Sequence, residues 1–127
     1  MNINEINVRS GQVVDAAMKV HSVLGPGLLE SAYEACLAYE LRKRGLNVCA
    51  QVPLPVAYDG MQLDLGYRID LLVDNVVVVE LKAATKLLPI HEAQLLSYLK
   101  LSKHRVGLLV NFHSVHLKEG IKRMVNS

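Results

Sequence analysis

The segment "VVVVELK", from Val76 to Lys82, places the tightest constraint on what this chain can fold into. Side chains of a β-strand alternate between two faces, and both faces of this segment begin with valine. The pattern predicts a central strand that is covered on both sides. Glu80 and Lys82 then share one face at the end of the strand. They are either solvated residues where the strand leaves the core or members of a functional site.

Helices are predicted on both sides of the strand region. Apolar residues at helical spacing predict a first helix that ends before Gly25-Pro26-Gly27. A second helix is predicted from about 28 to 44, with Gly45 closing it. A third helix is predicted over 89–102, and a short strand or helix over 114–126.

The extended segments predict a mostly antiparallel sheet. Strands are expected at 46–52, 54–58, 61–65, 67–73, 76–82 and 105–112. Asp59-Gly60 and Asp74-Asn75 are the two hairpin signals. This order of helices, sheet, crossover helix and further strand is typical of an α+β fold. The length of 127 residues predicts a single domain covering 1–127.

The turn between two of these strands decides whether two acidic residues meet. A two-residue turn at Asp74 would pair Val73 with Val76, and it would put Asp70 and Glu80 on opposite faces. We therefore predict a three-residue loop or a bulge, either of which returns both acids to one face.

Charge is distributed unevenly along the chain, although the formal net charge is only +2. Residues 1–81 carry six Lys or Arg and ten Asp or Glu, a balance of −4. Residues 82–127 carry eight Lys or Arg and two Asp or Glu, a balance of +6. A basic surface facing an anionic polymer and an ordinary solvated surface both explain this asymmetry.

The sequence predicts a cytoplasmic protein that does not enter a membrane. Its first ten residues, "MNINEINVRS", lack the features of a signal peptide, and no apolar stretch reaches membrane-spanning length. Cys36 and Cys49 form no CxxC pattern and give no support for a zinc site. We expect reduced thiols, with one isolated disulfide as the alternative.

Acidic residues interrupt two apolar patterns. Glu30 lies on the helical stripe of Tyr33, Leu37 and Leu41, so it is expected to point toward the core or a cleft at its edge. The alternative is that it only complements the helix N-terminus. Asp70 interrupts an apolar strand, which predicts a partner or a metal unless it lies at the rim of the sheet.

The third helix carries Gln94 and Tyr98 four residues apart, hence on one face, with His91 adjoining them. They either border a buried stripe or form the polar wall of a site.

Glu80 follows Asp70 by ten residues, and Lys82 follows Glu80 by two. Carboxylate oxygens suit Mg²⁺ or Mn²⁺, and a neighbouring lysine can orient or deprotonate an attacking water. This spacing is that of the PD-(D/E)xK nucleases.

Longer matches make the likeness more specific. The segment "GPGLLESAYEACLAYEL" contains Gly27, Glu30 and Tyr33 as G-x-x-E-x-x-Y. Together with "HSVLGPGLLE", "YRIDLLVDN", "VVVVELKA", "HEAQLLSYLKL" and "VGLLVNF", it resembles the GxxExxY family. That family is a small bacterial and archaeal group of the PD-(D/E)xK nuclease superfamily, and the likeness covers nearly the whole chain.

The resemblance implies a restriction-endonuclease-like α+β (α/β) core, in which a mixed central sheet is flanked by helices on both faces. It implies metal binding by Asp70, Glu80 and Glu30, with Lys82 as the catalytic lysine. Gln94 and Tyr98 look like the Q-x-x-x-Y element of RecB-type members, and they complete the implied catalytic set. Ile69 stands where the motif has proline.

The expected function is that of a Mg²⁺- or Mn²⁺-dependent nuclease acting on DNA or RNA. The alternative is a non-catalytic nucleic-acid-binding or protein-interaction module on the nuclease fold. The intact acids and lysine favour the enzyme, whereas the small size leaves little room for a substrate-reading domain and favours the module. A homo-oligomer is compatible with the sequence.

Overall fold

A computed structural model describes residues 1–127. Three α-helices, seven strands and one short 3-10 helix follow one another along the chain. They are α1 (Ile3–Leu24), α2 (Glu30–Lys43), β1 (Val48–Pro53), β2 (Val56–Tyr58), β3 (Met61–Leu63), β4 (Arg68–Val73), β5 (Val77–Lys82), α3 (Pro89–Ser102), β6 (Val106–Asn111), the 3-10 helix (Leu117–Gly120) and β7 (Ile121–Val125). The predicted helices and strands are confirmed to within a few residues at their ends, and the tail holds both a helix and a strand.

Five strands form one mixed sheet in the order β1-β4-β5-β6-β7. β5 and β6 are parallel, and the other three neighbouring pairs are antiparallel. A parallel pair needs a long crossover, which α3 supplies. β2 and β3 form a separate hairpin.

Helices cover both faces of this sheet, as a restriction-endonuclease-like fold requires. The core under α1 and α2 includes Val77, Val79 and Leu81 of β5. Val78 of β5 belongs to the second core, under α3. The four buried valine and leucine side chains explain why β5 is apolar on both faces.

Close packing at Gly107 sets the position of α3. A Cβ atom added to this glycine of β6 would lie 2.9 Å from a methyl carbon of Leu95 and 3.1 Å from one of Leu99. A larger residue would displace these methyl groups, so glycine allows the leucines of α3 to pack directly on the backbone of β6. The same helix carries Gln94 and Tyr98.

Tyr33 fixes the loop that precedes α2. Its ring stacks on Phe112 at 4.4 Å between ring centroids. Its hydroxyl donates to the carbonyl of Gly25 and accepts the backbone N–H of Leu28. The tyrosine of the G-x-x-E-x-x-Y motif therefore has a structural task, which is to anchor the entrance to α2.

None of the three α-helices combines the length and the apolarity that a helix needs to cross a lipid bilayer.

Candidate functional site

The loop between β4 and β5 brings two carboxylates together. Val73 pairs with Val77, so the loop has three residues and the predicted register is confirmed. Continuing this register puts Asp70 opposite Glu80, beyond the last paired residues, Leu71 and Val79. Both acids therefore lie where the β4–β5 ladder ends.

At this point side chains replace the backbone as hydrogen-bond acceptors. The backbone N–H of Asp70 donates to Oε2 of Glu80 at 2.7 Å. The backbone N–H of Leu81 donates to Oδ2 of Asp70 at 2.9 Å. These two bonds hold the carboxylates beside each other between the strands.

The alternation of side chains also breaks in β4 at Asp70. Leu71 packs in the core under α1 and α2, whereas Ile69 packs in the core under α3. Strict alternation along β4 would put Ile69 on the same face as Leu71 and Val73, and the strand departs from it at Ile69. Opposite Asp70, Gln51 of β1 has a left-handed backbone with φ of +52°. Gln51 therefore bends β1 locally, as a left-handed residue does in an otherwise extended strand.

Glu34 of α2, rather than Glu30, reaches this break. Nε2 of Gln51 donates to Oε1 of Glu34 at 2.6 Å and to Oδ1 of Asp70 at 3.3 Å. Glu34 is half-buried.

Glu30 is exposed, which corrects the expectation that it points toward the core. It is the first residue of α2, where the stripe formed by Tyr33, Leu37 and Leu41 has already left the core. The charge of Glu30 helps to raise the pKa of Glu34. Glu30 forms no hydrogen bond with Asp70 or Glu80.

Burial raises the pKa of Glu80 to about 8. The neighbouring carboxylate of Asp70 raises it further, whereas the backbone N–H of Asp70 and the Lys82 ammonium act in the opposite direction. The Glu80 side chain is only 6% exposed. Burial, followed by the charges of Asp70 and Glu30, also raises the pKa of Glu34, against a lowering effect of its Gln51 hydrogen bond. A cation placed among these groups would relieve their repulsion.

Lys82 ends β5 and is half-buried. It takes part in none of the ion pairs of the structure. Its carbonyl accepts the backbone N–H of Phe112. Just beyond, the buried Asn111 side chain bonds to both the N–H and the carbonyl of Ala84, at 3.1 and 2.9 Å. These bonds hold the chain at Lys82 and just after it, and they do not engage its ammonium.

α3 carries two of the predicted site residues. Nε2 of Gln94 donates to the hydroxyl of Tyr98 at 3.2 Å, so the two predicted residues do share a face. Burial is the main cause that raises the pKa of Tyr98, and the charges of Glu80 and Asp70 add to it. The Tyr98 hydroxyl therefore stays protonated at neutral pH and is subject to the charges of both carboxylates.

No group of three or more His, Cys, Asp or Glu side chains is arranged to hold a metal ion. The paired acids Asp70 and Glu80 were found from their spacing in the sequence. Glu34 and Gln51 were missed. Glu34 carried the same acidic signal as Glu30, four residues before it, whereas the left-handed conformation of Gln51 has no signature in its sequence.

Comparison with known proteins agrees with this architecture. The family model described as PD-(D/E)XK nuclease superfamily matches residues 7–124. Neither a curated protein nor a solved structure matches the chain significantly.

Proposed function

Because the chain belongs to the PD-(D/E)XK nuclease superfamily, we propose that it is a metal-dependent nuclease that hydrolyses phosphodiester bonds of nucleic acid. The observation that carries the proposal is the pair of Asp70 and Glu80 carboxylates, each held by a backbone N–H of the neighbouring strand. Lys82 lies two residues beyond Glu80. The finer assignment to the GxxExxY group and the cytoplasmic location remain predictions.

The donor set fits a hard divalent cation. One oxygen of each carboxylate is engaged by a backbone N–H, and Oε1 of Glu80 has no hydrogen-bond donor. Oδ1 of Asp70 meets only the amide of Gln51, at 3.3 Å. This amide bridges Asp70 and Glu34 with its partly positive N–H group, in the kind of position that a cation prefers. Mg²⁺ usually keeps several waters and needs only one or two protein carboxylates, so a set of two acids suffices.

The third acid is proposed to be Glu34. It shares the Gln51 amide with Asp70, whereas Glu30 has no such link. Glu30 keeps its predicted role as a ligand only if it turns toward the site when metal binds. The pair Glu30→Gln and Glu34→Gln separates these assignments, because only the true ligand should weaken metal binding when it is changed.

Each remaining residue has a defined task in hydrolysis. A bound divalent ion would act as a Lewis acid on the phosphate oxygens. The Lys82 ammonium would orient the attacking water and offset charge on the phosphate. Tyr98 accepts the Gln94 N–H, so its own hydroxyl proton can be donated to a phosphate oxygen. Gln94 thereby positions the Tyr98 hydroxyl.

One observation favours the alternative of a non-catalytic nucleic-acid-binding or protein-interaction module. No three potential ligands are arranged around one point. A module of this kind would bind nucleic acid or a protein without a metal, and it would not cleave the bound molecule.

A cleavage panel tests the proposal. Single-stranded and duplex DNA and RNA are incubated with the protein in Mg²⁺, Mn²⁺ or chelator. Cleavage that requires the metal and disappears in Asp70→Asn and Glu80→Gln is expected. Glu119→Gln, which changes an exposed acid that forms no ion pair, serves as the matched control. Metal-independent binding without cleavage would favour the module, and cleavage that survives in both site variants would contradict the proposal.

A further inference from the structure

A cavity of about 470 Å³ opens between α3, the start of β2 and Tyr67, the residue that precedes β4. It is within the size range of small-molecule sites in proteins. The residues that define its character are aromatic, aliphatic and polar: Tyr67, Tyr98, Val56, Ile90, His91 and Gln94.

Its two aromatic rings leave one surface open. The rings of Tyr67 and Tyr98 meet at 66° with 6.1 Å between centroids, so they do not stack face to face. Tyr98 is buried, whereas Tyr67 is 44% exposed. Ile90, across the opening, is exposed as well. The cavity therefore presents uncovered apolar and aromatic surface that the core does not use.

Unused hydrogen-bonding groups line the same cavity. Gln94 bonds to Tyr98 through one N–H, and its carbonyl oxygen and second N–H have no partner. Nδ1 of His91 accepts the N–H of Leu88 at 3.0 Å, so the proton of the neutral ring lies on Nε2, which has no partner either. An aromatic ring can stack on the face of a nucleobase, and adjacent donors and acceptors can form hydrogen bonds with its edge.

Two of the proposed site residues, Gln94 and Tyr98 of α3, also line the cavity. The charges of Glu80 and Asp70 contribute to the raised pKa of Tyr98, so this hydroxyl is the electrostatic link between the cavity and the carboxylates. A nucleotide with its base in this cavity would have its sugar and phosphate beside the residues that we propose to act on phosphate.

We propose that this cavity binds an unpaired nucleobase, stacked on Tyr67 and contacted at its edge by Gln94 and His91. The inference rests on the proposed nuclease function and narrows its substrate class to single-stranded nucleic acid. A base inside a duplex has both faces stacked and its pairing edge occupied, so it cannot enter the cavity without leaving the helix.

Variants of Tyr67 test this inference by fluorescence anisotropy, with single-stranded and duplex oligonucleotides of one sequence in chelator. Tyr67→Ala should weaken single-strand binding about tenfold or more, as expected for loss of a base–aromatic stack. Tyr67→Phe keeps the ring and should bind like the parent. Duplex affinity should be unchanged in both variants. Parental single-strand affinity in Tyr67→Ala, or an equal loss with duplex, would overturn the inference.

Two further experiments guard against trivial results. Ser97→Leu narrows the cavity from its exposed rim without removing an aromatic contact, and it should also weaken single-strand binding. Abasic sites are then placed at successive positions of the oligonucleotide. One such position should cancel the difference between the parent and Tyr67→Ala, because the stacked base is then absent from both complexes. If no position does so, or if Ser97→Leu binds like the parent, the cavity does not hold a base.

The outcome also separates the two proposals. Metal-dependent cleavage with an unaffected Tyr67→Ala variant would overturn the base site and leave the nuclease intact. No binding and no cleavage of any nucleic acid by the parent would overturn both.

Discussion

The two halves of the strand pair β4–β5 differ in how they are hydrogen-bonded and in which side chains they bury. Near the loop, Val73 pairs with Val77 and Leu71 with Val79 through the backbone, and these side chains fill the core under α1 and α2. At the far end, Asp70 and Glu80 accept hydrogen bonds from the backbone. The first half stabilises the fold by burying apolar surface. The second half buries acidic groups, which costs free energy that the proposed metal site would explain.

The largest expected effect is the loss of stability when a charged side chain is introduced into the apolar half. Val79→Asp puts an unpaired carboxylate into a fully buried position, and we expect a loss of about 4 kcal/mol or more, enough to unfold much of the protein. Urea unfolding followed by circular dichroism measures it. Leu63→Asp, on the exposed β2–β3 hairpin, is the control and should stay folded. A Val79→Asp protein as stable as the control would show that the halves do not differ.

Lys82→Ala should affect chemistry and leave the fold intact. Given cleavage by the parent, we expect turnover to fall about 100-fold, the usual effect of losing one electrostatic stabiliser. Metal affinity should persist, and Lys82→Arg should restore little activity because the planar guanidinium cannot take the place of a compact, movable ammonium that orients a water. Rates are compared with those of Lys86→Ala, an exposed lysine four residues later. Parental rates in Lys82→Ala would make Lys82 a solvated strand-end residue.

The raised pKa of Glu80 predicts a specific dependence of stability on pH. Between its usual value of 4.5 and about 8, the folded protein keeps a proton that the unfolded chain loses. Stability from this group is therefore present below pH 4.5 and lost as pH rises through 8. Without metal, Glu80→Gln should melt roughly 4 °C or more above the parent at pH 9.

At pH 4 the melting temperatures of Glu80→Gln and the parent should converge, because Glu80 is then protonated in both the folded and the unfolded parent. A constant difference at every pH would show that Glu80 ionises normally in the fold.

Much of this comparison could be derived from the sequence. The valines before Glu80 predicted a doubly covered strand, and the need to bring Asp70 and Glu80 to one face predicted the three-residue loop. Both inferences depend on strand alternation, which is a local property. The contact of Glu34 with Gln51 was not predictable, because it depends on where α2 begins relative to the sheet. That position results from tertiary packing.

Gln51 shows the same limit, and it gives the smallest predicted effect. Its left-handed backbone strains any residue with a Cβ atom, whereas glycine adopts this conformation freely. Gln51→Gly should therefore be more stable than Gln51→Ala by about 1 kcal/mol, although both lose the bonds to Glu34 and Asp70. Urea unfolding of the two variants measures the difference. Equal stabilities would mean that β1 does not turn at this residue.

Titration of the protein with Mn²⁺ by isothermal calorimetry tests the central claim most directly. We expect the parent to bind Mn²⁺, and we expect Asp70→Asn and Glu80→Gln each to lose at least about tenfold in affinity, or about 1.4 kcal/mol. Glu119→Gln should bind like the parent. A parent that binds no Mn²⁺, or site variants that bind it as tightly as the parent, would contradict the assignment of the Asp70–Glu80 pair as a metal centre.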